Sequence, residues 1–308
     1  MTEDALTEPL KGQIIRLYAD VATVQIGDEK VTIPIRGKLF KEDPPAVGDW
    51  VELQGKKEHY VIAGVLPRRS VLARRAAGTR VKRQVLIANV DQVVVVFAAA
   101  LPPPHLAMLD RFLVVAEANH LSARVVVNKV ELAESMDDLR AMFEPVSMAG
   151  YEVHYTSVKQ NIGLEALHAA LAGKASVLTG PSGVGKSSLL NSLYPGLNLR
   201  VGQVSAAYGT GRHTTVGGFL IRLPGDASVA DTAGLREVGV WMVPPEELPD
   251  CFPEFRPHLD SCRFSDCAHM SEPGCAIQAA VEAAEIHELR YESYVQLREE
   301  AEATFPRW

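Results

Sequence analysis

Residues 180–187 read Gly-Pro-Ser-Gly-Val-Gly-Lys-Ser, between an apolar segment at 175–178 and a segment at 186–193 with an apolar helical face. A loop of the form G-x-x-x-x-G-K-[ST] that leaves a strand and opens a helix is built to wrap a phosphate. Gly180, Gly183 and Gly185 allow a curl in which backbone N–H groups point inward, and the helix N-terminus adds its positive end. Pro181, Ser182 and Val184 complete the loop. Lys186 is placed to neutralise β- and γ-phosphates, and Ser187, followed by Ser188, to offer a hydroxyl to Mg2+.

That loop needs a parallel sheet around it, and the flanking sequence supplies one. Residues 92–98 are a near-continuous apolar run, as in a strand covered on both faces. Leu106, Leu109, Phe112, Leu113 and Ala116 then recur at helical spacing. Residues 124–127 and 175–178 read as further strands, 164–171 and 186–193 as helices. Alternating strands and helices predict a doubly wound α/β domain over 85–243. Upstream, residues 10–68 alternate in short runs such as Val31, Ile33, Ile35 and Val51, Leu53, with no helical period. Five short strands in this stretch suit a small barrel, an OB-fold or an SH3-like barrel. Residues 1–9 are expected to be disordered, and the Arg-rich, small-residue stretch 69–84 to be a mobile basic linker. After Pro244 the texture changes again, and 276–303 carries an apolar stripe opposite a Glu-rich face, one amphipathic helix or two.

Three further segments bear on the nucleotide. Asn128-Lys129-Val130-Glu131 ends a strand and resembles the Asn-Lys-x-Asp guanine-recognition motif of GTPases, with Glu131 in place of Asp. A carboxylate there accepts from the ring N–H and exocyclic amine of guanine, a donor pair that adenine lacks. Thr156-Ser157-Val158 resembles the loop that supports guanine through its backbone. Asp231-Thr232-Ala233-Gly234 resembles the Asp-x-x-Gly switch, in which the Asp holds Mg2+ through water and the Gly N–H senses the γ-phosphate. Between these, Gly211-Arg212-His213-Thr214-Thr215 has the composition of a first switch; Thr215, or else Thr214, is the candidate Mg2+ ligand. Leu235 stands where many GTPases carry a water-orienting Gln, so slow intrinsic turnover is expected. His213 is the candidate substitute, with a plain exposed loop histidine as the other reading.

Residues 262–275 hold Cys262, Cys267, His269 and Cys275. Three thiolates and an imidazole in so short a window predict one closed, structural Zn2+ site in a helical domain over 244–308. Cys251 is expected to be a spare buried thiol.

The motif order is base loop, support loop, phosphate loop, first switch, second switch, a circular permutation of the ordinary order. With the basic N-terminal barrel and the Cys/His tail, it resembles the RsgA/YjeQ family of circularly permuted GTPases that act on the small ribosomal subunit. Residues 109–113, Leu-Asp-Arg-Phe-Leu, and 211–215 are also similar to that family's stretches. The resemblance implies a ribosome-stimulated GTPase whose partners are the small subunit and its rRNA. It agrees with the charge distribution. Residues 10–90 hold 15 Lys/Arg against 8 Asp/Glu, whereas 246–308 hold 5 against 14. The permutation also connects the second switch directly to the C-terminal region, which predicts that γ-phosphate loss reorients that region. The longest apolar run, 93–101, is too short to span a bilayer and the N-terminus has no signal-peptide pattern, so a cytoplasmic monomer is expected. Two readings compete: a non-catalytic RNA-binding adaptor, which Leu235 favours, and an ATPase.

Overall fold

The structure is a computed structural model that describes residues 10–18, 20–35, 44–56, 59–75, 83–199, 218–231 and 243–305. The expected tail at 1–9, the 211–215 segment with His213, Thr214 and Thr215, and the second-switch residues Gly234 and Leu235 lie outside these residues. So does the 232–242 connection to the C-terminal region.

The N-terminal strands are β1 (Leu10–Tyr18), β2 (Val21–Ile26), β3 (Glu29–Pro34), β4 (Trp50–Gln54) and β5 (Val61–Val65). All pairings are antiparallel, in the order β3-β2-β1-β4-β5. β3 and β5 lie in contact, which closes the barrel. The return of β4 to β1 is the Greek-key order of an OB-fold, which decides between the two barrels considered above. Of the alternating residues named above, Ile33, Val51 and Leu53 are buried in the barrel core together with Ile14, Ala22 and Val24, and Val31 and Ile35 pack partly buried against it.

The stretch expected to be a mobile linker is instead structured at both ends. β6 (Val71–Arg75) pairs antiparallel with β7 (Arg83–Ala88), and Leu72 and Ile87 are fully buried. The arginines masked this pattern, because a two-stranded ribbon needs few apolar residues when a larger core lies beneath it. Val47 bridges to Ile87, and Asn89 Nδ2 donates to the Gly48 carbonyl at 2.9 Å, so the barrel is tied to this ribbon.

The central sheet contains β8 (Gln92–Ala98), β9 (Ser122–Asn128), β10 (Glu152–Tyr155), β11 (Ala175–Thr179), β12 (Phe219–Arg222) and β13 (Ser228–Asp231). The order is β10-β9-β8-β11-β13-β12, parallel except for β12. The helices are α1 (Leu106–Ala118), α2 (Met136–Met148), α3 (Leu164–Leu171) and α4 (Lys186–Leu193). Every residue of β8 is buried, and alternate ones feed opposite layers. Val93, Val95 and Phe97 pack with Leu113 and Phe143, while Val94, Val96 and Ala98 pack with Leu167 and Leu190. α2, β7 and β12 were not foreseen from the sequence. For α2 the signal was present: Leu139, Phe143 and Val146 are spaced for one face, and the Ser135 hydroxyl caps the helix by accepting from Asp138 N.

Beyond Val243 the chain forms short 3-10 turns, then α5 (Ala276–Glu282) and α6 (Glu288–Thr304). The expected amphipathic segment is thus two helices, divided where Ala284 takes a positive φ of 57°. Phe252, Phe255, Tyr294 and Leu297 form this region's core, with Val114 of α1 inserted into it. One helix of the central domain also supplies three ion pairs to the C-terminal region: Asp110 with Arg290, Arg111 with Glu300, and Glu117 with Arg256. Among the described residues, no helix is long and apolar enough to cross a membrane.

Candidate functional site

In an open α/β sheet, ligands bind beyond the carboxyl ends of the strands at the point where strand order reverses. Here the chain builds outward from β8 through β9 to β10, then returns to lay β11 on the other flank of β8. The reversal therefore lies between β8 and β11, and the phosphate loop leaves the end of β11.

Gly180, Gly183 and Gly185 have φ of 126°, 81° and 99°. A Cβ at Gly180 would stand 2.0 Å from the Val96 carbonyl oxygen, so the loop is pressed against β8 as only glycine allows. Lys186 is buried, and its Nζ donates to the carbonyls of Gly180 and Pro181, each at 2.7 Å. Ser187 is buried in the first turn of α4, where Val184 and Leu190 anchor the loop to the apolar layer.

The base loop reaches this cradle from β9. Asn128 is the last residue of β9 and is buried; its Nδ2 donates to the Val184 carbonyl at 2.9 Å. The buried Thr156 hydroxyl donates to Asn128 Oδ1 at 3.1 Å. Val130 N donates to the Thr156 carbonyl at 3.1 Å, and the turn after Thr156 is closed by reciprocal bonds of 3.0 Å between Ser157 and Ile162. Val158 packs against the apolar layer under α3 and α4. The three segments therefore converge, although they lie apart in sequence and in permuted order. Glu131 sits in the short turn Val130–Leu132, and its Oε2 is buried with no hydrogen-bond partner among the described residues. A buried acceptor left in that state costs free energy unless something donates to it.

One wall of the site was not anticipated. Lys129, at φ 60°, donates from Nζ to the Leu101 carbonyl at 2.6 Å, and a Cβ at Gly183 would meet Pro102 Cδ at 3.8 Å. The loop after β8 thus stands beside both the base and phosphate loops. Three consecutive prolines at 102–104, following a near-continuous apolar strand, were the available signal. Asp231 closes β13, which runs parallel to β11 with Leu178 opposite Asp231, so its backbone is at the same end of the sheet.

The second centre lies in the C-terminal region. The ligand atoms of Cys262, Cys267, His269 and Cys275 all fall within 4.8 Å of one another. His269 Nδ1 is 3.5 Å from the sulfurs of both Cys262 and Cys275. Burial pushes the Cys267 thiol up to about 12 and lowers the His269 imidazole below its ordinary value. A soft cation bound there would displace thiol protons and meet a neutral imidazole, so the donor set fits a metal ion. The turn is braced from outside. Glu272 accepts from the N–H groups of Ala268 (2.8 Å), Met270 (2.9 Å) and Ser271 (3.0 Å). Tyr291 and Tyr294 of α6 donate their hydroxyls to the carbonyls of His269 (2.9 Å) and Ala268 (2.7 Å). Cys251 is buried outside the cluster, as expected of a spare thiol.

A sequence model of the RsgA GTPase family matches residues 65–241. The small ribosomal subunit biogenesis GTPase RsgA of Gemmatimonas aurantiaca is 51% identical over 279 residues, covering 88% of this chain and 91% of that protein. The protein of the same name from Moorella thermoacetica is 40% identical over 289 residues, with coverages of 93% and 95%. The structure of YjeQ from Thermotoga maritima superposes with a TM-score of 0.75 at 36% identity, over 94% of this chain and 98% of that one. YloQ, described as a circularly permuted GTPase, gives a TM-score of 0.75 at 29% identity over the full length of both chains. With its base loops preceding its phosphate loop in the chain and yet hydrogen-bonded to it, the protein belongs to the RsgA GTPase family.

Proposed function

We propose that the protein binds the small ribosomal subunit and couples GTP hydrolysis to late maturation of that subunit and to its own release, with turnover stimulated by the subunit. The observation that supports the guanine assignment is the buried Glu131 Oε2, without a hydrogen-bond partner among the described residues, on the loop that Asn128 ties to the phosphate cradle. Guanine offers that carboxylate two N–H donors; adenine offers none in that place, so the ATPase reading loses its support.

In this reading Glu131, Asn128 and Lys129, with the backbone of Thr156, Ser157 and Val158, hold the base. The loop from Gly180 to Ser188 holds the phosphates, with Lys186 against the β- and γ-oxygens. Ser187, Asp231 and Thr215 or Thr214 would hold Mg2+, which supplies charge neutralisation when bound. The Gly234 N–H senses the γ-phosphate, and His213 orients the attacking water in place of the Gln that Leu235 replaces. Cys262, Cys267, His269 and Cys275 hold one structural Zn2+. The OB barrel of 10–68 and the basic 69–84 stretch contact rRNA, the central domain spans 85–243, and 244–308 forms the zinc-bearing region. The protein acts as a cytoplasmic monomer.

Phosphate release from GTP, titrated with purified small subunits, tests the reading. Turnover should rise with subunit and saturate. A rate that ignores the subunit would favour the adaptor reading. In a companion competition assay, Glu131→Ala should lose most of its preference for GTP over ATP.

A further inference from the structure

The barrel and the central sheet share an edge whose side chains the nucleotide chemistry does not use. β1 pairs with β4 over Leu10 to Gln13, and further along β1 the neighbour is β12, with Arg16 opposite Phe219. The first residue of β4, Trp50, meets the last residue of β12, Arg222. The Arg222 guanidinium carbon lies 5.7 Å from the Trp50 ring centroid, and Arg222 Nη2 donates to Gln13 Oε1 at 3.4 Å. Both residues keep a solvent-facing surface; Trp50 is 38% exposed. On β1, Lys11, Arg16 and Tyr18 are exposed as well, Tyr18 at 62%. Neither Lys11 nor Arg16 forms an ion pair among the described residues.

An indole stabilises a structural seam chiefly through the area it buries, and this indole keeps over a third of its surface in water. An aromatic ring and a planar guanidinium in one exposed stack, flanked by the exposed cations Lys11 (opposite Glu52 on β4) and Arg16 along a strand, have the chemistry of a single-strand track. Bases stack on rings and on arginine planes, while lysine and arginine follow the phosphates. Lys11 to Tyr18 spans about 23 Å at ~3.3 Å per residue. That accommodates about four nucleotides, the low end for one OB barrel.

We propose that this seam binds single-stranded RNA, with Trp50 and Arg222 as the stacking platform for a base and Lys11 and Arg16 on the phosphates. The proposal rests on the rRNA-binding reading above and adds that the central domain itself, through Arg222 on β12, contributes to the RNA surface. The strand that carries Arg222 pairs with β13, which ends at Asp231, so one sheet edge serves both RNA and nucleotide.

The test uses the full chain with Trp241→Phe and Trp308→Phe, so that Trp50 alone reports. Titration with a ten-nucleotide oligouridylate should quench Trp50 fluorescence, and binding should weaken as salt rises. In anisotropy measurements with a labelled oligonucleotide, Trp50→Ala and Arg222→Ala should each bind at least tenfold more weakly. Trp50→Phe should stay within threefold of the parent, and Arg222→Lys should fall between. GDP affinity equal to the parent's certifies that each variant is folded. If Trp50→Ala does not fold, Arg222→Ala and the Trp50 quench decide. Equal oligonucleotide affinity in the folded alanine variants, no quench, or equal binding of a blunt RNA duplex would overturn the proposal. Stimulation of the parent protein by small subunits is measured separately. If stimulation is present and the alanine variants bind the oligonucleotide unchanged, the seam proposal alone fails. If stimulation is missing, the functional reading fails whatever the oligonucleotide does.

Discussion

Asn128 Nδ2 donates to the Val184 carbonyl at 2.9 Å, and this one bond joins the base loop to the phosphate loop across 56 residues of chain. The Val184 carbonyl fixes the amide's orientation, because it can only accept and so must face Nδ2, which leaves Asn128 Oδ1 to accept from the Thr156 hydroxyl. Asn128→Ala would leave a buried hydroxyl and a buried carbonyl unmatched, at roughly 1–3 kcal/mol each. Fluorescent GDP titration should show at least a tenfold loss of affinity. Asn128→Asp should do no better, since a carboxylate cannot donate to Val184.

Gly185 faces the same amide. A Cβ there would stand 2.4 Å from Asn128 Nδ2, on a backbone at φ 99°. Gly185→Ala therefore strains the loop by about 1–2 kcal/mol and also drives Asn128 from its place. GDP affinity should fall about a hundredfold. Gly196→Ala, at φ 100° but with nothing within 4 Å, carries strain without the clash and should leave GDP binding nearly unchanged.

Arg290 joins α6 to the central domain. It is 1% exposed, paired with Asp110 and with Glu254 at 2.6 Å, and its guanidinium lies 4.7 Å from the Phe252 ring centroid. Burial alone would lower its pKa, but the two carboxylates hold it above the ordinary arginine value. Arg290→Met should cost about 3–5 kcal/mol in denaturant unfolding, because it leaves two buried carboxylates without a counter-charge. Adding Asp110→Asn and Glu254→Gln to that variant should recover part of the loss.

Metal removal should unfold the turn that carries Cys262 to Cys275. A strong zinc chelator is expected to raise proteolysis in 262–275 and to lower thermal stability, both restored by added Zn2+.

The same turn should carry a pH signature. Burial would raise the Glu272 pKa, yet four backbone N–H donors, those of Ala268, Met270, Ser271 and Glu272 itself, hold it at about 2, below its ordinary 4.5. The folded value is the lower one, so its stabilisation is complete above about 4.5 and disappears as pH falls towards 2. Glu272→Gln should be less stable at neutral pH, and its stability should fall less steeply than the parent's between those limits in urea unfolding.

How much was legible depended on the range of the interactions. The phosphate loop could be read because its chemistry is local: three glycines, a lysine and a serine fix their own backbone within eight residues. The cysteine cluster was readable for the same reason, four ligands within 14 residues. The β6–β7 ribbon was misread as a linker because its arginines hid Leu72 and Ile87, whose burial depends on a core supplied from elsewhere. β12 was missed because four residues make no period.

From residues alone, the chain was committed to a glycine-lined phosphate cradle, a guanine-type base loop, a permuted order and a four-ligand metal turn. Each motif is written in a short contiguous run, and the permuted order is the order in which those runs occur along the chain. Only the tertiary structure decided that Asn128 closes onto Val184, that Lys129 rests on Leu101, that α1 is clamped by Arg290, and that Trp50 meets Arg222. Those contacts join segments from about 30 to 180 residues apart. Nothing in a local pattern specifies such pairings, because the free energy that selects them is that of burying two surfaces against each other once both have folded.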